Sequence, residues 1–214
     1  MKTFWFPTID STNSEAIRRM GELPSLSVLA AYDQTAGRGQ RGNTWFTEPG
    51  KNLTFSMVVK FGRDGIPELA ARDAMWLNYL ISDVLAAFLR AAGADACIKW
   101  PNDLYVHRKK ISGVLIENSL KGESLDAAVI GVGININQRE FPQLANATSL
   151  YCCTGKETGL EESLDKICRL FEEKLPSLFN PEMRAGLFAA YSEQLFQKGS
   201  PARYTDYLLD QEFT

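Results

Sequence analysis

The chain has 214 residues, of which 45% are hydrophobic and 23% are charged, values that exclude a disordered or collagen-like chain. The formal net charge of −3 disfavours general binding to nucleic acids or membrane surfaces. No apolar run reaches the ~18 residues that a membrane span needs, and residues 1–7 are too short an apolar stretch for a signal peptide. The length predicts one domain, with room for a small appendage.

The four cysteines do not form the disulfide framework typical of a small secreted protein. They also include no Cys-x-x-Cys pair, which is the usual spacing of a zinc site. Cys97 lies in an apolar run and Cys168 in a helical pattern, so we expect both to be buried free thiols. Free thiols indicate a reducing compartment, and the predicted location is the cytoplasm.

The first half of the chain predicts one short helix and two strands. Thr12 and Glu15 fit the N-cap and N3 positions of a capping box, so a helix is expected from Thr12 to about Gly21. Small apolar residues over 27–33 and the Phe-, Val- and Thr-rich segment 53–60 predict buried strands. The loop and turn segments between these strands are residues 35–42 and 49–52.

The second half predicts three helices and a run of short strands. Apolar residues recur at helical spacing over residues 67–92, and Gly93 follows as the expected C′ residue. Residues 161–175 and 181–196 also predict helices, the second with Pro181 at its first position. The strands expected between the first helix and the other two are residues 97–100, 104–106, 111–118 and 127–136.

The consecutive strands in the middle of the chain leave no room for crossover helices, which a purely parallel sheet requires. The pattern therefore predicts an α/β or α+β domain built on a mixed β-sheet flanked by helices. Residues 199–214 show no periodicity, and they are expected to be either a tail or the start of a small second domain.

The loop at residues 37–42, Gly-Arg-Gly-Gln-Arg-Gly, is the most informative segment. It matches the dinucleotide-binding pattern G-x-G-x-x-G literally, but residues 43–50 do not form the helix that this pattern requires next. A P-loop is excluded as well, because Asn52 follows Gly50-Lys51 where a P-loop has Ser or Thr. The sequence therefore indicates neither of these two nucleotide-binding motifs.

The same loop still has the chemistry of an anion site. Its glycines let backbone N–H groups approach a ligand closely, and Arg38 and Arg41 can each bind phosphate oxygens through two N–H groups. Two alternatives stay open at this point. Instead of an anion site, the loop could be a solvated basic surface loop or a single RNA-binding Arg-Gly segment.

A second concentration of positive charge lies at residues 99–110, which contain four basic residues and a single acidic residue, Asp103. Lys110 directly precedes a predicted buried strand, and a lysine at the beginning of such a strand can direct its ammonium group into a site. The alternative is that Lys110 is an exposed turn residue. His107, the only histidine, is expected to be an exposed turn residue, which disfavours a Ser-His-Asp triad or a zinc-protease site.

Gly131 and Gly133 lie inside the strand predicted over residues 127–136. Glycines in a strand mark a bulge or the close approach of a ligand to the backbone. Asn135, near the end of this strand, offers a donor and an acceptor that match an adenine edge. A bulge without any ligand would show the same sequence pattern.

Four segments together resemble the biotin protein ligases, which attach biotin to a lysine of carboxylase carrier domains. They occur in the order and at the spacing of that family, over roughly residues 5–140. The segments are Ser11-Thr12-Asn13; Gln34 with the loop 37–42 and Trp45; Lys-Trp-Pro-Asn-Asp-Leu at 99–104 with Lys-Ile-Ser-Gly at 110–113; and Gly-Val-Gly-Ile-Asn at 131–135.

The resemblance implies a mixed sheet like that of class II aminoacyl-tRNA synthetases and the biotin and lipoate ligases. It also implies a two-step reaction. Biotin and MgATP form biotinyl-5′-AMP and pyrophosphate, and the lysine of a biotin carboxyl carrier protein or carboxylase carrier domain then displaces AMP. The implied small molecules are therefore biotin, ATP and Mg²⁺. Since both nucleophiles belong to substrates, the enzyme mainly positions groups and neutralises charge.

Residue by residue, the resemblance implies three kinds of role. Lys110 is the expected main charge stabiliser of adenylation, Arg38 serves the same phosphate and carboxylate centre, and Asp103 orients the incoming lysine. The residues expected to contact biotin are Ser11, Thr12, Asn13, Gln34, Gly37, Arg38, Gly39, Gln40, Lys110 and Gly113. The residues expected to contact the nucleotide are Arg38, Arg41, Trp45, Asn102, Lys110 and Asn135. No metal-ligating residue is expected.

The chain departs from the family pattern in its loop and at its ends. The family loop often reads Gly-Arg-Gly-Arg-Arg-Gly-Arg, and Gln40 and Asn43 here remove two positive charges beside the phosphates. Residues 1–198 are expected to form the catalytic domain, and 199–214 the start of a truncated or reduced C-terminal domain. We also expect this chain to lack the N-terminal DNA-binding domain that some members carry, because the first motif lies close to residue 1.

Two alternative functions remain open. A lipoate ligase, or a related acyl-adenylate-forming transferase, would share the fold but would have a more apolar pocket without partners such as Gln34 for a ureido ring. A non-enzymatic nucleotide- or RNA-binding module would use the loop 37–42. For the main hypothesis we expect no nucleic-acid or membrane partner, and either a monomer or a homodimer.

Overall fold

A seven-stranded mixed β-sheet forms the centre of the computed structural model, which describes residues 1–142, 144–201, 204–206 and 211–213. The strands in chain order are β1 (Lys2–Phe6), β2 (Ser27–Ala31), β3 (Leu53–Lys60), β4 (Cys97–Lys99), β5 (Asp103–Val106), β6 (Lys109–Lys121) and β7 (Ser124–Ile134). Their order across the sheet is β1-β2-β3-β7-β6-β5-β4. β1 runs parallel to β2 and the other neighbours are antiparallel, which confirms the predicted mixed sheet.

Helices cover both faces of the sheet. They are α1 (Thr12–Arg18), α2 (Met75–Ala91), α3 (Leu150–Thr154), α4 (Leu160–Lys174) and α5 (Pro181–Glu193). In the part of the chain that the structure describes, no helix has the length and apolar character to cross a membrane. A separate two-stranded sheet pairs β8 (Tyr204–Asp206) with β9 (Gln211–Phe213). The rest of the predicted C-terminal segment beyond residue 201 lies outside the described residues.

Strand alternation divides the core into two parts, because successive side chains point to opposite faces of a sheet. Phe55 and Ile130 belong to the large cluster that α2, α4 and α5 cover. Val58 and Val129 point the other way and pack with Ala16 of α1 in a smaller cluster. By the same alternation, residues 131 and 133 of β7 lie on the α1 face of the sheet, and that face is where the cavity described below opens.

The long helix predicted over residues 67–92 begins later than expected, at Met75. Its predicted first turns instead lie along the turn between β6 and β7, where Leu125 N–H donates to Leu69 C=O and Ala71 N–H to Glu123 C=O, both at 2.8 Å. These bonds replace helical ones, and Leu69 is buried without being helical. The predicted end is confirmed, since Gly93 follows the helix with a φ of +95°.

The beginning of α1 differs from the prediction by one residue. Ser11 is the N-cap and its Oγ accepts a hydrogen bond from Ser14 N–H, whereas Thr12 is the first helical residue. The Thr12 hydroxyl is engaged elsewhere, because it donates to Gln34 Oε1. The strand β1 and the short helix α3 were not predicted, while β3 spans the predicted residues 53–60.

All four cysteines are free thiols, but their exposure differs. Cys168 is buried as expected, and burial raises the pKa of its thiol to about 12. Cys97 is half-buried rather than buried, and burial raises the pKa of its thiol as well. Cys152 and Cys153 are exposed.

Thiol labelling tests this difference. Because the thiolate is the nucleophile, we expect iodoacetamide at pH 8 to modify Cys152 rapidly in the native protein and Cys168 only after unfolding. Peptide mass mapping of a labelling time course measures both rates. The denatured protein is the control, in which the two cysteines should react alike. Equal rates in the native protein would contradict the burial of Cys168.

Candidate active site

A cavity of about 410 Å³ opens over the β6–β7 pair. Gly113 and Leu115 of β6 lie opposite Gly133 and Gly131 of β7 and form its floor. The start of α1 and the loop after β2 line its sides. The predicted site residues that line this cavity are Ser11, Thr12, Asn13, Gln34, Arg38, Gly39, Gln40, Arg41, Trp45, Asp103, Lys110 and Gly113.

A cluster of neutral polar side chains lies at the start of α1. Gln34 Oε1 accepts hydrogen bonds from the backbone N–H of Thr12 at 2.7 Å and from its hydroxyl at 3.2 Å. Ser56 Oγ lies 2.8 Å from Thr12 Oγ1 and 2.5 Å from Asn13 Oδ1. Ser56 was not among the predicted site residues, although a lone serine amid the apolar residues of β3 was a signal that could have found it.

The N-terminus of α1 is fixed by a charged contact just before it. Arg18 donates to both oxygens of Asp10 at 2.8 Å, and Ser11 N–H donates to the same carboxylate at 2.7 Å. The hydrogen bonds from Arg18, followed by that from Ser11, lower the pKa of Asp10 to about 2. Asp10, the residue before the N-cap of α1, is therefore linked to Arg18, the last residue of this helix.

The glycines of β7 leave room for two side chains. A Cβ at position 131 would lie 2.0 Å from Asn13 Oδ1, and one at position 133 would lie 2.2 Å from Cε2 of Trp45. β7 pairs continuously with β3 and β6 at both positions, so the bulge considered from the sequence is absent there. The buried Nε1–H of Trp45 has no hydrogen-bond partner among the described residues.

Lys110 enters the cavity as an ion pair with Asp103, with Nζ and Oδ1 2.8 Å apart. Gly113 makes room for this pair, since a Cβ there would lie 3.0 Å from Lys110 Cε and 3.2 Å from Asp103 Oδ1. The ammonium also lies 5.7 Å from the centre of the Trp45 ring. The side chain of Lys110 is about one-third exposed, so its charge is accessible to a ligand in the cavity.

Arg38 makes a bidentate ion pair with Glu117 of β6, at 2.7 and 3.0 Å. Glu117 lies four residues beyond Gly113, which places their Cα atoms about 13 Å apart along the strand. Arg38 and Lys110 thus bind carboxylates at two separate points of the same cavity. No pattern in the sequence indicated Glu117. The common phosphate and carboxylate centre expected for Arg38 and Lys110 stays a prediction.

Three residues that were predicted to contact ligands, Gly37, Asn102 and Asn135, do not line the cavity. Gly37 C=O accepts a hydrogen bond from Trp45 N–H, and this contact closes the base of the loop. Asn102 Nδ2 donates to Val114 C=O at 2.6 Å, and Asn135 Nδ2 donates to Thr148 C=O at 2.9 Å. These residues support the wall, and their predicted contacts with ligands remain predictions.

Two further expectations concern the histidine and metal binding. His107 is exposed in the turn between β5 and β6, as expected. Within residues 1–142, 144–201, 204–206 and 211–213, no group of three or more His, Cys, Asp or Glu side chains is arranged to hold a metal ion.

Comparison with known proteins identifies the family. The sequence model of the Biotin/lipoate A/B protein ligase family matches residues 5–135. A relative from Escherichia coli K12, named bifunctional ligase/repressor BirA, is 37% identical over 201 residues, which cover 92% of this chain and 55% of the relative. A relative from Paracoccus denitrificans, named biotin--[acetyl-CoA-carboxylase] ligase, is 33% identical over 170 residues, which cover 76% and 68% of the two chains.

A solved structure shows the same fold. The biotin protein ligase from Aquifex aeolicus in complex with biotin and ATP superposes with a TM-score of 0.74 at 28% identity, covering 92% of this chain and 79% of that one. The chain spans about half the length of the ligase/repressor relatives that it matches. The family match covers more than half of the chain, and the Paracoccus relative is covered over two-thirds of its length. The chain therefore belongs to the Biotin/lipoate A/B protein ligase family.

Proposed function

We propose that this chain activates biotin with ATP and then transfers biotin to a lysine of a biotin carboxyl carrier protein or carboxylase carrier domain. One observation carries the proposal: a single cavity combines a cluster of neutral hydrogen-bonding groups with three basic residues, Arg38, Arg41 and Lys110. The relatives support it, since the Paracoccus protein is named as a biotin ligase and the Aquifex structure holds biotin and ATP.

The neutral cluster favours biotin over lipoate as the acid. Thr12, Asn13 and Gln34 line the cavity with amide and hydroxyl groups, which match the N–H and C=O groups of a ureido ring, and the buried Ser56 holds Thr12 and Asn13 from behind. A buried polar group without a partner costs about 1–3 kcal/mol, so a ureido ring requires such a cluster. The dithiolane ring of lipoate has no N–H or C=O group that could exchange hydrogen bonds with these side chains.

The first step joins the carboxylate of biotin to the α-phosphate of ATP. A carboxylate oxygen attacks this phosphorus, the bond from phosphorus to the bridging oxygen breaks, and pyrophosphate leaves. Lys110 is the cation that faces the cavity beside Trp45, so it is placed to neutralise the charge that grows on the phosphate oxygens. The loop around Arg38 covers the cavity and limits hydrolysis of the acyl-adenylate by water.

The second step needs no nucleophile from this chain. The neutral amine of the carrier lysine attacks the acyl carbon and loses a proton to solvent as the amide bond forms. The bond from the acyl carbon to the phosphate oxygen breaks, and AMP leaves with its electrons. Asp103, at 2.8 Å from Lys110, offers a carboxylate that can accept a hydrogen bond from the incoming amine and orient it.

Magnesium would be held mainly by the phosphates of ATP rather than by this chain. Asp103 is the carboxylate that lines the cavity, and it is already paired with Lys110. Mg²⁺ commonly binds through one or two carboxylates together with substrate phosphates and water, and a single acidic residue fits that pattern. When bound there, the ion would supply further charge neutralisation to the phosphates.

The cellular setting and domain organisation belong to the same proposal. The free cysteines fit the reducing cytoplasm, which is also where carboxylase carrier proteins are expected. We assign residues 1–198 to the catalytic domain and residues 199–214, which include the paired strands β8 and β9, to a separate C-terminal unit.

Pyrophosphate release tests the activity directly. The protein is incubated with MgATP and either biotin or lipoate, and pyrophosphate is measured with a coupled enzyme assay. We expect release with biotin and formation of a mass-identified biotinyl-5′-AMP. Release with lipoate and none with biotin would identify a lipoate ligase instead, and tight RNA binding with no adenylate would support a binding module.

Transfer tests the second step. Adding an unmodified carrier domain should give a biotinylated product that streptavidin detects, and a carrier whose acceptor lysine is replaced by arginine should give none. Equal labelling of both carriers would mean that the adenylate escapes and reacts with other lysines, which would contradict transfer to a specific lysine.

A further inference from the structure

We propose that Glu117 is a positioning residue that fastens the loop of residues 37–45 across the cavity by holding Arg38. Glu117 Oε1 accepts from Arg38 Nη2 at 2.7 Å, and Oε2 accepts from Nη1 at 3.0 Å. Bidentate pairs of this kind fix the direction of a guanidinium group as well as its position. The proposal deepens the proposed function, because it names what holds the loop over the reaction site.

The loop of residues 37–45 is held together by its own backbone. Gly39 N–H donates to Asn43 C=O at 2.7 Å, and Trp45 N–H donates to Gly37 C=O at 3.0 Å, so its two arms are bonded to each other. A bridge between Arg38 and Thr44 adds a further contact between the arms. A side chain that anchors one arm therefore anchors the whole loop.

The two anchors of the loop lie on opposite sides of the cavity floor. Trp45 packs on Gly133, while Arg38 reaches Glu117, whose partner on β7 is Val129. Gly131, two residues from each of these β7 positions, lies between the anchors. The loop thus spans the floor, and the ion pair is its attachment on the side away from Trp45.

The same carboxylate also holds the start of α1. Glu117 Oε2 accepts a hydrogen bond from Asn13 Nδ2 at 2.9 Å in addition to the one from Arg38. Asn13 is buried and in turn contacts Ser56. Glu117 therefore joins the loop to the neutral cluster that we assign to the biotin ring, which is more than a surface ion pair would do.

Glu117→Gln is the informative substitution because it separates these two contacts. Its amide oxygen, placed where Oε2 lies, keeps the hydrogen bonds from Asn13 and Arg38 Nη1. Its amide nitrogen then faces Arg38 Nη2 as donor against donor, so the bidentate pair is lost. The matched control is Glu123→Gln, the same chemical change on an exposed glutamate in the turn between β6 and β7.

Limited trypsin digestion measures how accessible the loop is, independently of the reaction with biotin and ATP. Arg41 is an exposed cleavage site within the loop. We expect cleavage after Arg41 to be several-fold faster in the Glu117→Gln protein than in wild type, and unchanged in Glu123→Gln. Arg38→Gln breaks the same pair from the loop side and should give the same increase. Wild-type cleavage rates in both Glu117→Gln and Arg38→Gln would overturn the proposal.

Kinetics then connect the loop to the reaction. Misplacing a group by ~1 Å can cost a factor of ~100, so we expect Glu117→Gln to lower kcat for pyrophosphate release about 10- to 100-fold. The KM for biotin should change little, since the hydrogen bond from Asn13 is kept. The double variant Arg38→Gln/Glu117→Gln should be no slower than Arg38→Gln alone. An additive loss, or a rise in kcat, would refute the positioning role. Absence of biotin-dependent release in wild type would instead refute the proposed function, and the digestion would still test the loop.

Discussion

Lys110→Ala is expected to slow biotin-dependent pyrophosphate release by about 100- to 1,000-fold, the usual loss when one charge-stabilising contact is removed. Lys110 is the cation that faces the cavity beside Trp45, and its ammonium is 2.8 Å from Asp103. Without it, the carboxylate of Asp103 would face the phosphates of ATP unpaired and would repel them. Single-turnover measurement of pyrophosphate formation at saturating biotin and ATP reads this loss directly.

The fold should survive this substitution, because the hydrogen bonds that tie residue 110 to its neighbours are made by the backbone. Lys110 N–H donates to Asn146 C=O, and Thr148 N–H donates to Lys110 C=O. Circular dichroism of the variant should therefore match wild type.

The matched control is Lys109→Ala. It removes the same charge one residue earlier in β6, where the side chain is exposed and points to the opposite face of the sheet. We expect this variant to keep the wild-type rate. A wild-type rate in Lys110→Ala would show that its ammonium does not stabilise the reaction. An equal loss in both variants would show that general positive charge near the cavity matters rather than the ammonium of Lys110.

The sheet could be predicted from the sequence because the period of its apolar residues is local information. β3 occupies the predicted residues 53–60, and the segments of β5, β6 and β7 were each recognised. The helix predicted from residue 67 failed at its beginning for a non-local reason. Leu69 fits the helical spacing, but the backbone of this segment binds the distant turn between β6 and β7.

The motifs of the site could be predicted as well, but not the residues that hold them. Most of the predicted site residues line one cavity. They could be recognised because each of their segments carries a sequence pattern of its own. Glu117 and Ser56 carry no such pattern. Their importance comes from strand register, which places Ser56 opposite Gly131 and next to Asn13, and Glu117 within reach of a loop 79 residues earlier in the chain.

Gly131 was recognised from the sequence, but the group that it makes room for could not be predicted. A glycine inside a strand indicates that something approaches the backbone, but the sequence cannot say whether it is a ligand, a bulge or a side chain. The structure identifies it as the side chain of Asn13. The glycine therefore serves the site indirectly, by making room for a residue of the neutral cluster.

Gly131→Ala is accordingly expected to damage both stability and biotin binding. The new Cβ would lie 2.0 Å from Oδ1 and 2.7 Å from Cγ of Asn13, far inside van der Waals contact. Asn13 is held in this position, since it is 4% exposed and hydrogen-bonded to Ser56 and Glu117, and any shift would break these bonds. Overpacking costs about 1–3 kcal/mol of stability, which thermal unfolding would show as a lower Tm.

Biotin affinity, measured by isothermal titration calorimetry, should fall about tenfold or more, because a misplaced Asn13 leaves a buried polar partner of the ring unpaired, at about 1–3 kcal/mol. Gly186→Ala is the control: its Cβ in α5 meets nothing within 4 Å, and alanine in a helix is favoured over glycine by up to about 1 kcal/mol. That variant should match or exceed wild type in Tm and bind biotin normally. Wild-type affinity in Gly131→Ala would mean that Asn13 does not contact biotin, and the ring would then have to be recognised by Thr12 and Gln34 alone.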